Sequence, residues 1–599
     1  MCGITGYIGV EESASILASG LKNLEYRGYD SAGVALVGDQ INVHKQEGTI
    51  DGLTIPNETS ATHGIGHTRW STHGEPTDEN AHPHTDCSGD IAVVHNGIIS
   101  NYDELKRQLG GHIFESETDT EVIPHLLEEE MATGADLRAA VMRVLDRLEG
   151  SFAVAATHVD YEGIVAARQD SPLVIGHGED GMYLGSDVTA FVEYTRQVSY
   201  LEDGDVAHLY SDGITVFNEG ERVEREIQTV DWDASAAGKA GHDHYMHKEI
   251  HEQPNALRQA ISGRIDELAG NASLDIDLDD RFLQAIDEIH IVACGTSYHA
   301  GLYAKELLEE LVDITVRVDL ASEYEVCDGH DTRRTLVVAV TQSGETADTL
   351  SAIRRAKAPG MTTLAVTNTV GSTITREVDD SLFIKAGPEI GVAATKTFVS
   401  QVTALALFAT YLGRLRGTLT AGEGVDILGN IRQLPNAVQS VLDSESRIRR
   451  LADQYTGSDA FFFIGRGPAY PVALESALKL KEISYAHAEG FAAGELKHGP
   501  LALVTENTPV LAFLNQSASP EETLNNVKEV ESRGAPVICL STPGETASFC
   551  NHTIEIPDIG RLEPLVANVA LQLFAYHVAH EMGRPIDKPR NLAKSVTVE

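Results

Sequence analysis

Basic residues are scarce in this chain. Against 90 Asp and Glu stand only 45 Lys and Arg in 599 residues, a formal net charge of −45. Acid spread along the whole length keeps a globular protein hydrated at the cost of self-repulsion, the pattern of proteins adapted to high salt. The block of like charge that marks an acidic interaction tail is missing. Such a surface repels nucleic acid and anionic membranes, so neither is expected as a partner. Cysteine is sparse as well. Cys2, Cys87, Cys294, Cys327, Cys539 and Cys550 lie far apart with no Cys-x-x-Cys pair. That argues against a zinc ribbon and a disulfide framework, and suits a reducing cytoplasm. There is no basic segment followed by an apolar one at the start, so no secretory signal is expected. No apolar run reaches about 18 residues; the nearest approach, 402–412, carries Thr403 and Thr410. A soluble cytoplasmic protein of roughly three or four domains is the expectation.

What is present begins at the second residue. Cys2 is small enough for Met1 to be removed, which would leave a thiol and a free α-amine on one residue. A thiolate is a strong nucleophile, and a terminal amine of pKa about 7.7–8.0 can act as its base. An isolated Met-Cys would mean nothing. Four further patches change that: residues 24–33 (Leu-Glu-Tyr-Arg-Gly-Tyr-Asp-Ser-Ala-Gly), 67–74 (His-Thr-Arg-Trp-Ser-Thr-His-Gly), 94–99 (Val-His-Asn-Gly-Ile-Ile) and 116–121 (Ser-Glu-Thr-Asp-Thr-Glu). Each places polar groups at a strand end or turn. Alone, Asn96-Gly97 is a hairpin signal and Ser116 or Thr118 a helix cap. The surrounding pattern reads as strand at 4–10, helix at 14–24, strand at 32–37 and helices near 121–130 and 136–148, an α+β domain.

Together with Cys2, the patches resemble the N-terminal-nucleophile glutamine amidotransferase family, in that family's order and over essentially all of residues 2–220. The resemblance implies roles. Cys2 takes the γ-glutamyl group, and the Asn96 side chain and Gly97 backbone form the oxyanion hole. Arg69 binds the glutamine carboxylate and Asp119 its α-ammonium. Trp70 gates an ammonia channel, and His73 lies in the same loop. These residue types suit the chemistry: a tetrahedral oxyanion needs preorganised donors, and a zwitterion needs one fixed cation and one fixed anion.

Small residues at 231–239 read as a connector, and 255–268 as an amphipathic helix. Between them His242, His244, His247 and His251 invite a metal site. The segment closely matches the same family's interdomain pattern, which leaves positions 247 and 251 open, so no metal is expected.

From 286 to 590 one unit is used twice. Apolar strands at 288–293 and 459–465 each lead into a helix, with further strands at 335–340 and 362–367, and at 508–514 and 536–540. Continuous apolar strands alternating with helices mean a parallel sheet covered on both faces, with ligands beyond the strands' carboxyl ends. The first copy carries two hydroxyl-rich loops there, 294–297 and 341–346, suited to a phosphate at helix N-termini. The second carries Asn515-Gln516-Ser517-Ala518-Ser519, a poorer cradle. Capping is the ordinary use of such residues; two converging loops argue for more.

Both copies resemble the sugar isomerase (SIS) domain. That resemblance implies sugar-phosphate contacts at Thr296, Ser297, Thr341 (usually Ser), Gln342, Ser343, Thr346 and the backbone near Val392. Lys479 and Glu482, one helical turn apart, His498 in a Gly-rich loop and Lys594 in the closing tail supply acid–base and Schiff-base chemistry. Over its whole length the chain resembles the glutamine–fructose-6-phosphate aminotransferase family. The implied plan is an α+β N-terminal-nucleophile glutaminase domain at 2–222 and a linker at 223–280. Two α/β SIS domains with parallel sheets flanked by helices follow at 281–420 and 450–589, then a catalytic tail at 590–599. The implied reaction moves glutamine's amide nitrogen to fructose 6-phosphate and isomerises the product to glucosamine 6-phosphate. It needs no cofactor and is carried out by a homodimer with His498 reaching the neighbour's site. The competing reading is a sugar-phosphate-binding regulator with a residual glutaminase domain. Two relatives of the amidotransferase domain, acting on phosphoribosyl pyrophosphate or making asparagine, would need nucleotide or pyrophosphate loops that the sequence does not contain.

Overall fold

The computed structural model describes residues 2–56, 61, 63–71, 74–230, 238–326, 332–514, 520–543 and 550–597. They divide into two units, one running to Gly238 and including the described residues from Ala593 on, the other Lys239–Leu592. His73, most of the connector at 231–239, Cys327 and the loop at 515–519 lie outside the described residues.

In the first unit the alternation of Gly3–Gly9 sets the layers. Ile4 and Ile8 face one way and Tyr7 the other, as a two-residue repeat requires. The strand pairs antiparallel with His63–Arg69 and with Gly181–Gly185 inside an eight-stranded sheet. A seven-stranded sheet contains Ile91–Ile99 paired with Gly150–His158. Its Ala92 and Val94 meet Ile4, Ile8 and Ile65 between the sheets, while Ile91 and Val93 turn outward to helices Val122–Ala132 and Leu137–Leu145. Helix Ser13–Leu24 covers the other outer face through Leu17, Leu21 and Leu24. The result is helix, sheet, sheet, helix. The expected α+β class holds, with boundaries shifted by a residue or two.

The second unit contains two five-stranded parallel sheets of one topology. In the first the spatial order is Thr315–Leu320, Glu288–Ala293, Thr335–Val340, Thr362–Thr367, Asp380–Phe383. In the second it is His487–Ala492, Ala460–Gly465, Val510–Leu514, Val537–Ser541, His552–Glu555. Numbered within each copy both read 2-1-3-4-5, so the order reverses between strands 1 and 3. The three inner strands of each copy were legible as apolar runs. The edge strands were not, because Thr315–Leu320 and His487–Ala492 each bury only one residue fully and carry polar residues among the rest.

Two expectations change, and one apolar helix is assigned to the core. The stretch at 223–280 is not all linker: Tyr245–Ile261 is a helix whose Met246, Ile250, Ala256 and Leu257 belong to the second unit's core. Pro254 lies inside it, and a helix start just after the proline, as read from sequence, is displaced by ten residues. Cys539 and Cys550 form a disulfide with Cα atoms 6.1 Å apart. Strand Val537–Ser541 pairs with His552–Glu555, so the returning chain brings the two sulfurs together, which linear spacing did not reveal. Lastly, Lys396–Arg416 has the length and hydropathy of a membrane span, yet Phe398, Val402, Leu405 and Phe408 lie fully within the core.

Candidate functional site

In the first unit the end of one strand and the start of another converge on Cys2. Its Sγ accepts from the Trp70 amide at 3.3 Å, and its carbonyl accepts from Asn96 Nδ2 at 3.1 Å and Arg27 Nε at 3.2 Å. Burial is the largest influence on the thiol and raises its pKa, against the Trp70 amide and the guanidiniums of Arg69 and Arg27, which lower it. Gly97 adopts φ +122°, and a Cβ there would lie 1.9 Å from the Ser151 carbonyl oxygen. Only glycine fits. Arg69 is buried at the end of His63–Arg69 and donates to the carbonyls of Glu75 and Gly74. Asp119, also buried, is held by the Ile99 amide at 2.7 Å. Trp70 meets the Tyr29 ring edge-on, 5.6 Å between centroids.

Sequence reading missed what stands behind Asn96. His67 Nε2 lies 3.0 Å from Asn96 Oδ1 and 2.9 Å from the His95 carbonyl. Two acceptors fix that nitrogen as the donor, so the imidazole turns the amide's NH2 toward Cys2. Burial pushes the His67 pKa down to about 3, which keeps it neutral. Thr120 bridges His82 Nε2 and His95 Nδ1 at 2.8 Å each, so a buried histidine layer backs the site. Four histidines at 67, 82, 84 and 95, each on or beside a strand, were the available signal.

In the second unit the two hydroxyl-rich loops follow strands 1 and 3 of the first sheet, the point where strand order reverses and where such sheets take ligands. Helices Gly295–Val312 and Ala347–Lys357 start there, and neither N-cap, Cys294 or Thr346, makes a side-chain cap bond. Thr341 and Ser343 do make turn bonds, accepting from the amides of Gly344 and Glu345, and the Gln342 carbonyl accepts the Asn368 amide. Ser297 accepts from Gln401 Nε2. The Val392 amide is taken by the Asp587 carbonyl at 3.2 Å.

Thr296 leads to the second copy. Its hydroxyl donates to Glu475 Oε1 at 3.0 Å and accepts from Lys479 Nζ at 3.1 Å. Lys479 is fully buried and pairs with Glu482 Oε2 at 2.6 Å and Glu475 Oε1 at 3.5 Å. An exposed salt bridge, the ordinary meaning of a Lys and Glu one turn apart, is excluded. Burial acts to lower the Lys479 pKa, but Glu482 and Glu475 outweigh it and hold it above the usual value. Glu475, one turn before Lys479, also binds His299 Nδ1 at 2.8 Å. It was missed, though the i,i+4 spacing to Lys479 was readable. His498 is exposed at the end of Ala493–His498, and Lys594 groups with the first unit. Of the histidines near 242–251, His247 and His251 are bound by Glu445 at 2.8 and 3.1 Å, and His577 joins them at 2.9 Å. Burial works to raise the Glu445 pKa, but these three partners hold it far below the carboxylate range.

A cysteine thiol at the head of a layered α+β unit, and duplicated 2-1-3-4-5 sheets with a buried Lys–Glu network, are the arrangement of an amidotransferase joined to tandem sugar-isomerase domains. The comparisons agree. A glutamine amidotransferase domain model matches residues 67–193 and an SIS domain model matches 282–411 and 454–582. Proteins named glutamine–fructose-6-phosphate aminotransferase (isomerizing) are 61% identical in Halobacterium salinarum, 48% in Thermus thermophilus and 46% in Methanosarcina mazei, each over the full length of both chains. The solved C-terminal domain of glucosamine-fructose-6-phosphate aminotransferase from Francisella tularensis aligns with 59% of this chain and 99% of its own, at 36% identity and TM-score 0.56. The chain belongs to the glutamine–fructose-6-phosphate aminotransferase (isomerizing) family. That membership supports the enzyme over the regulator reading, and a Halobacterium relative fits the acidic composition.

Proposed function

We propose that this enzyme transfers the amide nitrogen of L-glutamine to fructose 6-phosphate and isomerises the adduct to glucosamine 6-phosphate, with glutamate as coproduct. Cys2 attacks the glutamine amide, Asn96 Nδ2 and the Gly97 amide receive the oxyanion, and hydrolysis of the thioester releases glutamate. Arg69 and Asp119 hold the substrate's carboxylate and ammonium, His73 completes the loop, and Trp70 gates the ammonia. Thr296, Ser297, Thr341, Gln342, Ser343, Thr346 and the chain near Val392 receive the sugar phosphate. His498 opens the ring, Lys594 holds C2 as a Schiff base until the ammonia released from glutamine displaces the lysine amine there, and Glu482 then carries a proton from C1 to C2. A carboxylate can both take and return that proton. Lys479, kept cationic by its two carboxylates, fixes the Glu482 side chain. The enzyme acts as a homodimer in the cytoplasm.

The observation that supports this reading is the Thr296–Glu475–Lys479–Glu482 network, in which fully buried Lys479 and Glu475 join a half-buried Glu482 to the loop at the switch point of the first sheet. The test compares Cys2→Ala with glutamine and with ammonium as nitrogen donor. Glutamine-dependent amino sugar should vanish while the variant still isomerises its sugar ligand. Loss of both, in a folded variant, would refute the division of labour, and so would failure of borohydride to trap the ketose on Lys594.

A further inference from the structure

Outside both sites, the first unit gathers a thiol, two imidazoles and a carboxylate from three separate stretches of chain. Cys87 lies in the turn between His84–Thr85 and Ile91–Ile99, His112 follows helix Tyr102–Gln108, and His125 and Glu128 lie one turn apart on helix Val122–Ala132. Cys87 Sγ is 3.6 Å from His112 Nδ1 and 3.7 Å from His125 Nδ1. Glu128 Oε2 is 3.1 Å from His112 Nδ1 and 3.5 Å from His125 Nδ1. Zinc bonds of about 2.3 Å to sulfur and about 2.05 Å to nitrogen or oxygen, arranged as a tetrahedron, set sulfur–nitrogen edges near 3.6 Å and nitrogen–oxygen edges near 3.3 Å. The four edges that join sulfur or oxygen to nitrogen stand close to those separations, and all four donor atoms lie within 4.8 Å of one another.

We propose that Cys87, His112, His125 and Glu128 bind one zinc ion in a closed, structural site.

The chemistry of the set selects the metal. A thiolate and a carboxylate cancel a divalent charge, and two imidazoles with one sulfur suit zinc rather than magnesium or calcium, which take oxygen. Four protein donors leave no open position for substrate, the mark of a structural centre. Outer carboxylates stand near the far ring nitrogens: Glu129 Oε1 is 3.6 Å from His112 Nε2, and Glu121 Oε1 is 3.9 Å from His125 Nε2. Such partners orient ligating imidazoles. Cys87 is exposed, which gives the ion a route from solvent, whereas His125 is buried.

The position gives the ion a purpose. Glu121 also accepts the amides of Glu115 and Ser116, each at 2.7 Å, and so fixes the loop that carries Asp119. An ion one helical turn beyond Glu121 braces that loop from behind. Sequence spacing led to an expectation of no metal, because the ligands are gathered by the fold and not by a local motif.

The test is the metal content of the full-length protein, purified without metal affinity or chelators, loaded with zinc and dialysed. One zinc per chain is expected in the wild type and less than a tenth of that in Cys87→Ala and in His112→Asn. Both substitutions lie near the surface, and circular dichroism checks folding. His251→Asn should keep its zinc. Cobalt loading should give a thiolate-to-metal charge-transfer band and intense tetrahedral visible bands, both absent in Cys87→Ala. A metal-free wild type, or a full equivalent retained by Cys87→Ala, would overturn the proposal. In the second case the thiol, imidazoles and carboxylate form a hydrogen-bonded cluster only.

Discussion

Acidification from pH 7 to pH 5 should destabilise the first unit through His67. Its ring is fully buried, its Nε2–H is committed to Asn96 and His95, and its Nδ1 makes no hydrogen bond among the described residues. A second proton would place an unpaired charge on that buried nitrogen, so burial holds the pKa at about 3 against an ordinary 6.5. The folded value is depressed for a base. Between those two values the unfolded chain binds a proton that the native state refuses, and stability falls as pH drops below 6.5. At about 1.4 kcal/mol per pH unit the loss reaches about 2 kcal/mol at pH 5 and about 5 kcal/mol near pH 3. His82 and His84, also lowered chiefly by burial, add in the same direction. Glu121, where hydrogen bonds outweigh burial and bring the pKa to about 2, loses its contribution only as pH falls below about 4.5. The window from 6.5 to 5 therefore isolates the histidines among these groups.

The chain has two tryptophans, Trp70 and Trp232, so Trp232→Phe leaves Trp70 as a reporter inside the glutaminase site. Urea unfolding at pH 7 and pH 5, followed by Trp70 fluorescence, should be compared between that background and the same protein with His67→Gln, which keeps an amide donor and cannot titrate. The histidine form should lose about 2 kcal/mol more than the glutamine form. Equal losses would show that His67 is not held neutral by burial, and the account of how Asn96 is oriented would go with it.

Asn96→Ala removes one oxyanion donor and should lower glutamine-dependent kcat by about 10²–10³, with ammonium-dependent amino-sugar formation retained in the same assay. Lys479→Met leaves the Glu475 and Glu482 carboxylates without their cation and should cost about 3–5 kcal/mol in the second unit's urea unfolding; adding Glu475→Gln and Glu482→Gln should recover part of that loss. Gly97→Ala forces a methyl against the Ser151 carbonyl, so glutaminase activity should disappear while sugar isomerisation by the second unit persists. Raising KCl from about 0.1 M to about 1 M shortens the screening length from about 10 Å to about 3 Å, and the melting temperature should rise as the net charge of −45 is screened; a flat melting temperature would count against adaptation to salt.

Legibility followed the reach of each interaction along the chain. Cys2 and Arg69 stand at strand ends, Asn96 lies within Ile91–Ile99 and Asp119 in the turn before Val122–Ala132, and each belongs to a cluster of polar residues that the sequence displays. The first copy's hydroxyl-rich loops were readable because they follow apolar strands, and the topology puts both at a reversal of strand order. What escaped was built from distant residues. His67 supports Asn96 from a neighbouring strand, and Glu445 collects histidines from two other helices. Cys550 meets Cys539 only because its chain returns as a parallel strand. Tyr245–Ile261 falls in a stretch read as linker, but its Glu249 is buried, accepting the amides of Ile390 and Gly391. That glutamate fixes the loop leading to Val392, so the stretch is part of the second unit's structure.

The duplication explains why the second unit needs both copies. A 2-1-3-4-5 sheet offers one ligand crevice at its reversal, and in the first copy the loops there provide hydroxyls and helix N-termini but no acid–base pair. The second copy has Lys479 and Glu482 on its own helix after strand 1, the position equivalent to Gly295–Val312 in the first. The second copy alone would keep the pairing of Lys479 with Glu475 and Glu482, but Lys479 would lose the Thr296 hydroxyl, and Glu475 would lose Thr296 and His299. Glu475 and Lys479 are fully buried while Thr296 and His299 are half-buried, so separating the copies removes hydrogen bonds to charged groups worth at most about 1.5–3 kcal/mol each, on top of the shared apolar core. A mutation at Glu475 should therefore disturb both copies even though it belongs to neither hydroxyl-rich loop.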